Sequence, residues 1–221
     1  MFRDREDAAR QLAERLRGLR LEDPLVLAIP RGGVVTGAVL ARELDAELDV
    51  VLARKLRAPQ QPELALGAIG EDGEEYLTDF VSSVPGVTEA YLASERAYQI
   101  AEIERRKQRF RAARPQALIE GRSVLVTDDG LATGATMLAA LHVIRAHRPR
   151  ELIVAVPVGP PETVALLARY CDRVECLLVP AYMGGISGFY GDFDQVEEDE
   201  ALRLLRERFA HTQSKPAPRR P

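Results

Sequence analysis

The stretch Val124 to Thr136 limits the fold more than any other part of the chain. It runs Val124, Leu125, Val126, Thr127, Asp128, Asp129, Gly130, Leu131, Ala132, Thr133, Gly134, Ala135, Thr136. Its consecutive apolar residues read as a strand buried on both faces, the kind found in a parallel sheet. Two carboxylates stand at the strand's C-terminal end. A short loop rich in Gly and Thr follows, then a helix beginning Met137, Leu138, Ala139. In an open α/β sheet, ligands bind outside the carboxyl ends of the strands. The first amides of a helix point unpaired at that place, and the helix dipole favours an anion there. Thr133 and Thr136 add hydroxyl donors. The segment therefore offers a phosphate cradle beside two acids. A phosphate alone needs no carboxylate, so the expected ligand has a phosphate together with hydroxyls or a metal ion.

The rest of the chain supplies a matching scaffold. Residues 4 to 19 are expected to form an amphipathic helix with Ala9, Leu12, Ala13, Leu16 and Leu19 on one face. Leu25 to Ile29 is a short buried strand, Pro30-Arg31-Gly32-Gly33 a tight loop, Val34 to Leu44 a helix, and Leu48 to Ala53 a strand ending in Arg54-Lys55. This is a βαβ unit. Residues 56 to 63 read as a loop. Leu64 to Ile69 and Glu74 to Leu77 flank Asp72-Gly73 as a hairpin. Thr88 caps a long, Arg-rich helix to about Arg114, with a thin apolar stripe of Leu92, Ile100, Ile103 and Phe110. The strand 123 to 128, its helix 133 to 147 and a strand from Leu152 to Val156, stopped by Pro157, continue the sheet. A helix follows from Pro160-Pro161, then a strand from Val174 to Val179 and an aromatic, Gly-rich loop from Pro180 to Gly191. Residues 197 to 209 are a terminal helix, and His211 to Pro221 a tail expected to be disordered. The fold class is thus α/β: a parallel twisted sheet of about five strands with helices on both faces. Residues 1 to 210 form one domain, with a smaller hairpin-plus-helix lobe inserted at about 56 to 115.

Composition removes several classes of function. Of 221 residues 46% are hydrophobic, enough for a core, and the formal net charge of −4 gives no general attraction to nucleic acid or an anionic membrane. No apolar run approaches the roughly 18 residues of a membrane span, and no signal peptide is visible. Two cysteines, Cys171 and Cys176, are too few for a disulfide framework. A cytoplasmic protein is expected. His142 and His147 lie five apart on different helix faces and do not suggest a metal pair.

Several phosphate motifs fail on spacing. Gly130 and Gly134 have three residues between them and no Lys follows, against the four and the Lys of a nucleotide P-loop. Gly32, Gly33 and Gly37 do not match the dinucleotide fingerprint. A phosphoacceptor receiver domain needs a Lys after its acids, and here the only later one is Lys215. What matches is an apolar strand, two acids, a short spacer, Thr-Gly and a further Thr. This pattern resembles the phosphoribosyl pyrophosphate (PRPP) motif of the type I phosphoribosyltransferases, and the insert and C-terminal segment resemble the uncharacterised, predicted members more than any nucleobase salvage enzyme.

The resemblance implies a set of roles. Ala132, Thr133, Gly134, Ala135 and Thr136 would hold the 5′-phosphate. Asp128 and Asp129 would hydrogen-bond the ribose hydroxyls, with Mg²⁺ bridging ribose and pyrophosphate, so that any contact of these acids with the metal is indirect. Arg31, Gly32 and Gly33 correspond to the pyrophosphate loop, in which an unusual peptide geometry is expected, and Lys55 to a pyrophosphate-contacting Lys. The catalytic set would be Asp128, Asp129, Lys55 and Arg31. Tyr182, Phe189, Tyr190 or Phe193 would stack on an acceptor base, or else pack the last helix. The insert would be a lid, or its Arg-rich helix would line a homodimer contact. The partners implied are PRPP and a nitrogen acceptor, with no membrane and nucleic acid disfavoured. Oxopurine salvage members carry an acid where this chain has Ala132, which argues against hypoxanthine or guanine and leaves the base open. The alternatives are a PRPP- or nucleotide-sensing regulator without transferase activity, and a PRPP hydrolase.

Overall fold

A computed structural model describes residues 1–214. Helices α1 (Arg5–Leu16), α2 (Gly32–Glu43), α3 (Glu89–Ala113), α4 (Ala135–Ala146), α5 (Pro161–Leu167) and α6 (Glu198–Gln213) surround two sheets. The larger sheet contains β1 (Leu25–Ala28), β2 (Glu47–Val50), β6 (Ser123–Thr127), β7 (Glu151–Val158) and β8 (Arg173–Leu178), all parallel, in the order β2-β1-β6-β7-β8. The smaller sheet is antiparallel, β3 (Ala53–Ala58), β4 (Gln61–Gly70) and β5 (Glu75–Leu77).

Alternation along the parallel strands explains why both faces are covered. Val26 and Ala28 of β1, Leu125 of β6 and Ile153 and Ala155 of β7 pack into one apolar layer with α1, α2 and α6. Leu25 and Leu27, Val124 and Val126, and Leu152, Val154 and Val156 pack into the other with α4 and α5. The reading of 124–126 as a doubly buried strand therefore holds, as does the five-stranded α/β class.

Several boundaries differ from expectation. The chain does not leave the sheet as a loop at 56: β2 ends at Val50, and Ala53 to Ala58 is already the first strand of the insert. Lys55 accordingly lies inside β3, opposite Ala68, rather than at the end of a parallel strand. Pro157 does not stop β7, which continues to Val158. Pairing between β6 and β7 ends at Val126 opposite Val154, so a residue without an N–H is tolerated beyond that point. In α3, capped by Thr88 as expected, Leu92, Ile103 and Phe110 are buried with Glu95 and Gln99, while Ile100 is 47% exposed. The polar pair displaces Ile100 because Glu95 accepts from Arg57 at 2.8 Å and from Gln99 at 2.7 Å. At the C-terminus, α6 runs through Gln213, so residues 211–213 of the expected tail are helical. Residues 215–221 lie outside the described residues.

The insert is anchored by charge. Asp49 of β2 is buried and accepts from Arg111 at 2.8 Å and from the Ala117 amide at 2.8 Å. Arg111 also pairs with Glu71 at 2.5 Å, and Arg114, itself buried, pairs with Glu47 at 2.9 Å. Burial pushes the Arg111 guanidinium down, but Glu71 and Asp49 together hold it above its ordinary value. Removing one acid from such a set leaves buried cations uncompensated. Asp49→Ala should therefore lower stability by about 3–5 kcal/mol, read by urea unfolding. A loss within the error of the wild-type curve would show that the network does not carry the insert.

Candidate active site

The Asp128–Asp129 pair sits just past the C-terminal end of β6, where its strand leaves the sheet. Asp128 Oδ1 accepts the Asp129 amide at 2.8 Å and the pair also receives the Gly33 amide. Asp129 Oδ2 accepts Arg5 Nε at 2.8 Å, with both side chains mostly buried. Arg5 is itself fixed: its Nη1 donates to the Asp194 carbonyl at 2.8 Å, and its Cζ lies 3.7 Å from the Phe193 ring centre. Tyr190 donates its hydroxyl to the Asp129 carbonyl at 2.6 Å. Burial, and then the charge of Asp129, pushes the Asp128 carboxyl well above its ordinary value. Burial also pushes the Tyr190 hydroxyl up.

The Pro30–Gly33 loop lies directly against these acids. The peptide between Pro30 and Arg31 is cis, the unusual geometry expected there. Gly32 and Gly33 belong to the first turn of α2 rather than to a free loop. A β-carbon on Gly32 would collide with Asp129 Oδ2, and one on Gly33 would come within 2.9 Å of the Asp128 Cα. Glycine is required here by close approach. The Arg31 side chain is partly exposed and its Nη1 is 3.8 Å from Glu197.

On the other side of the acids lies the start of α4. Gly134, with φ of 75°, is its N-cap and offers no side chain to its amides. Thr133 Oγ1 is 3.4 Å from the Ala135 amide. The loop is pinned from behind, where the Leu131 amide donates to the Val158 carbonyl at 2.8 Å and Thr163 Oγ1 donates to the Ala132 carbonyl at 2.9 Å. Ala132, Thr133 and Thr136 face outward. Apart from the long contact of Ala135 with Thr133, no side chain caps the first amides of this three-turn helix among the described residues.

Lys55 reaches this region from the insert. A cavity of 330 Å³ is lined by Ile29 and Pro30 after β1, Val51 and Leu52 after β2, Lys55 and its neighbours on β3, Ile103 of α3, and Thr136 and Ala140 of α4. The structure therefore gathers Lys55, Pro30 and Thr136 around one space, while Gly32 and Gly33 meet Asp129 and Asp128 outside its wall. For a metal, the carboxylates that meet Gly32 and Gly33 among the described residues are Asp128 and Asp129. Among the described residues no group of three His, Cys, Asp or Glu could hold an ion. Two adjacent acids of like charge with no third ligand among the described residues would fit a hard cation held through water or ligand hydroxyls rather than directly.

Of the aromatic candidates, Tyr190 and Phe193 are engaged in holding the acid loop and Arg5, and their rings lie 4.8 Å apart. Phe189 packs with the cluster of Phe2, Val158 and Tyr190, and Tyr182 is 86% exposed. Local packing thus accounts for three of the four. His142 stacks on Tyr76 at 3.5 Å, and His147 pairs with Asp72, so neither belongs to the site. Both cysteines are free thiols. Sequence reasoning missed Arg5, which carries no motif and meets Asp129 only because α1 packs across the sheet.

A family model described as the phosphoribosyl transferase domain matches residues 3–185. Two curated proteins of Mycobacterium tuberculosis, from strains CDC 1551 and H37Rv and provisionally named phosphoribosyl transferases, are each 44% identical over 205 residues. The match covers 93% of this chain and 46% of theirs, so the chain spans about half the length of these relatives. The crystal structure of the protein TT1426 from Thermus thermophilus is 45% identical, with a TM-score of 0.89 over 93% of this chain and 98% of that one.

The raised Asp128 carboxyl gives a test of the site's electrostatics. A carboxyl raised on folding keeps its proton longer in the folded form, so its contribution to stability is complete below its unfolded value, near 3.8, and is lost as pH rises through the folded value. Asp128→Asn should therefore raise the thermal midpoint at about pH 8, and the gain should shrink toward about pH 4, followed by calorimetry across that range. A midpoint lowered at the alkaline end would refute the strain assigned to the pair.

Proposed function

The chain belongs to the phosphoribosyl transferase family, and on that premise we propose that it binds PRPP with Mg²⁺ and transfers 5-phosphoribosyl to a nitrogen acceptor, a nucleobase, with release of pyrophosphate. The observation that carries this reading is the Asp128–Asp129 pair, held between a glycine backbone on one side and open helix amides on the other. A sugar phosphate has the hydroxyls for the acids and the phosphate for the amides.

In this reading the α4 amides with Thr133 and Thr136 bind the 5′-phosphate, and Asp128 and Asp129 accept hydrogen bonds from the ribose 2′- and 3′-hydroxyls. The bond from C1′ to the pyrophosphate oxygen breaks while the acceptor nitrogen bonds to C1′. Positive charge that develops on the ribose lies beside the two carboxylates. Arg31, Lys55 and the amides at Gly32 and Gly33 stabilise the departing diphosphate. Mg²⁺, when bound, supplies neutralising charge to the diphosphate, and Asp128 and Asp129 are the residues that would hold it through ribose hydroxyls or water. The catalytic contribution of the chain is positioning and charge placement rather than covalent chemistry. The two free thiols suit action in a reducing compartment, the cytoplasm.

The regulatory reading has less support. A nucleic-acid-binding regulator would draw on the Arg-rich α3, and those arginines are largely paired among the described residues: Arg96 with Glu75, Arg105 with Glu102, Arg109 with Glu198 and Asp199, Arg111 with Glu71. A surface neutralised in this way does not favour nucleic acid. Among the described residues no helix is long and apolar enough to cross a membrane.

The test is to incubate the protein with PRPP, Mg²⁺ and a panel of nucleobases while following pyrophosphate. Base-dependent release is expected. Release without a base would point to hydrolysis, and tight PRPP binding without release would favour the sensor. The double substitution Asp128→Asn with Asp129→Asn should weaken PRPP binding by at least about tenfold, roughly the worth of one charge-assisted contact. Unchanged affinity would show that the ribose lies elsewhere.

A further inference from the structure

The 330 Å³ cavity beneath the insert has a one-sided charge. The charged groups on its wall are Arg54, Lys55 and Arg57 of β3 and Arg106 of α3, and among the described residues no carboxylate lines it. Some of this charge is already answered. Arg57 is held by Glu95 at 2.8 Å. Arg54 donates to Gln99 at 3.0 Å and has Glu102 only at 3.9 Å. Arg106 is different. It is half-buried, and among the described residues it makes no hydrogen bond or ion pair. Burial, then the charges of Arg54 and Arg105, push its guanidinium below its ordinary value, and Glu198 and Glu102 act against this only as weaker influences. A guanidinium does not give up its proton in a protein. Two guanidiniums on one cavity wall, one of them without a partner among the described residues, favour an anion between them.

The place of the cavity says which anion. Pro30, which precedes Gly32-Gly33, and Thr136, in the first turn of α4, are on the same wall, so the cavity borders the two segments that flank the acids, although the acids themselves are not on its wall. A ligand whose phosphate sits on α4 and whose sugar sits on the acids reaches this space with its other end. A doubly charged, multi-oxygen group fits two guanidiniums better than a monoanion does.

We infer that Arg106, with Arg54 facing the same cavity, binds the diphosphate group of the phosphoribosyl donor, making α3 part of the binding wall. This rests on the transferase reading above, and the experiment separates the two. Calorimetric titration of the full chain with inorganic pyrophosphate and, independently, with ribose 5-phosphate, both with Mg²⁺, reads the two ends of the ligand. Arg106→Gln should weaken pyrophosphate by about tenfold or more and leave ribose 5-phosphate within about twofold, and Arg106→Lys should recover part of the loss. The thermal midpoint of Arg106→Gln should stay level or rise, because the side chain removed has no partner to lose.

Pyrophosphate affinity unchanged in Arg106→Gln would overturn the inference. So would equal weakening of both probes, or an affinity loss accompanied by a fallen midpoint that Arg106→Lys does not restore. If the wild type binds ribose 5-phosphate but not pyrophosphate, the inference fails and the transferase reading stands. Pyrophosphate binding that depends on Arg106, without any ribose 5-phosphate binding, would sustain the anion site and remove the transferase reading. Binding of neither probe would remove both.

Discussion

Two carboxylates on adjacent residues at the end of a buried strand repel each other, and much of the surrounding structure answers that repulsion. Arg5 takes one oxygen of Asp129, while the Asp129 and Gly33 amides donate to Asp128. These partners reduce the cost without cancelling it, since Asp128 still favours its proton. Such a residual cost is hard to explain by packing alone, because an Asn or a Ser would fill the same place more easily. It becomes intelligible once a ligand brings hydroxyl donors or positive charge to the pair.

The insert shows the opposite arrangement. Its base is a closed set of opposed charges, with Arg111, Arg114 and Arg122 interleaved with Glu47, Asp49 and Glu71. Its inner wall is cationic, and Arg106 on it has no partner among the described residues. Buried pairs of the first kind hold the lobe in register against β2, so that the second kind can be presented at fixed places. Rigid support and unanswered charge thus occur on one helix, less than two turns apart at Arg106 and Arg111.

The parallel sheet was legible because buried parallel strands carry continuous apolar runs, as Val124 to Val126 and Leu152 to Val156 do. The acid pair and the Gly-Thr loop were legible because they are contiguous in sequence. Lys55 was expected at the end of a parallel strand and lies inside β3 instead, since nothing local distinguishes a strand end from the first strand of a second sheet. The thin stripe of α3 misled at Ile100, where Glu95 and Gln99 take the buried face because Arg57 and Arg54 await them across 38 and 45 residues. Arg5 was invisible for the same reason on a larger scale, and Phe193 and Tyr190 were noted as aromatic but not as supports of Arg5 and of the Asp129 carbonyl. What sequence periodicity cannot convey is which distant side chain completes a polar pair.

The fastening of Arg5 also bears on the order in which the chain can mature. Its partners are Asp129, the carbonyl of Asp194 and the ring of Phe193, so one side chain near the start waits on residues as many as 189 positions later. Closing so long a loop is slow compared with forming the local helices. The sheet strands and their helices can assemble as synthesis proceeds, but the acid pair lacks its full set of neighbours until the segment through Asp194 has been made and returned across the sheet. A chain interrupted before that point lacks both the neighbours of the acid pair and helix α6, whose Ala201, Leu202 and Leu205 complete one apolar layer, so the last segment to be made finishes the core and the surroundings of the acids together.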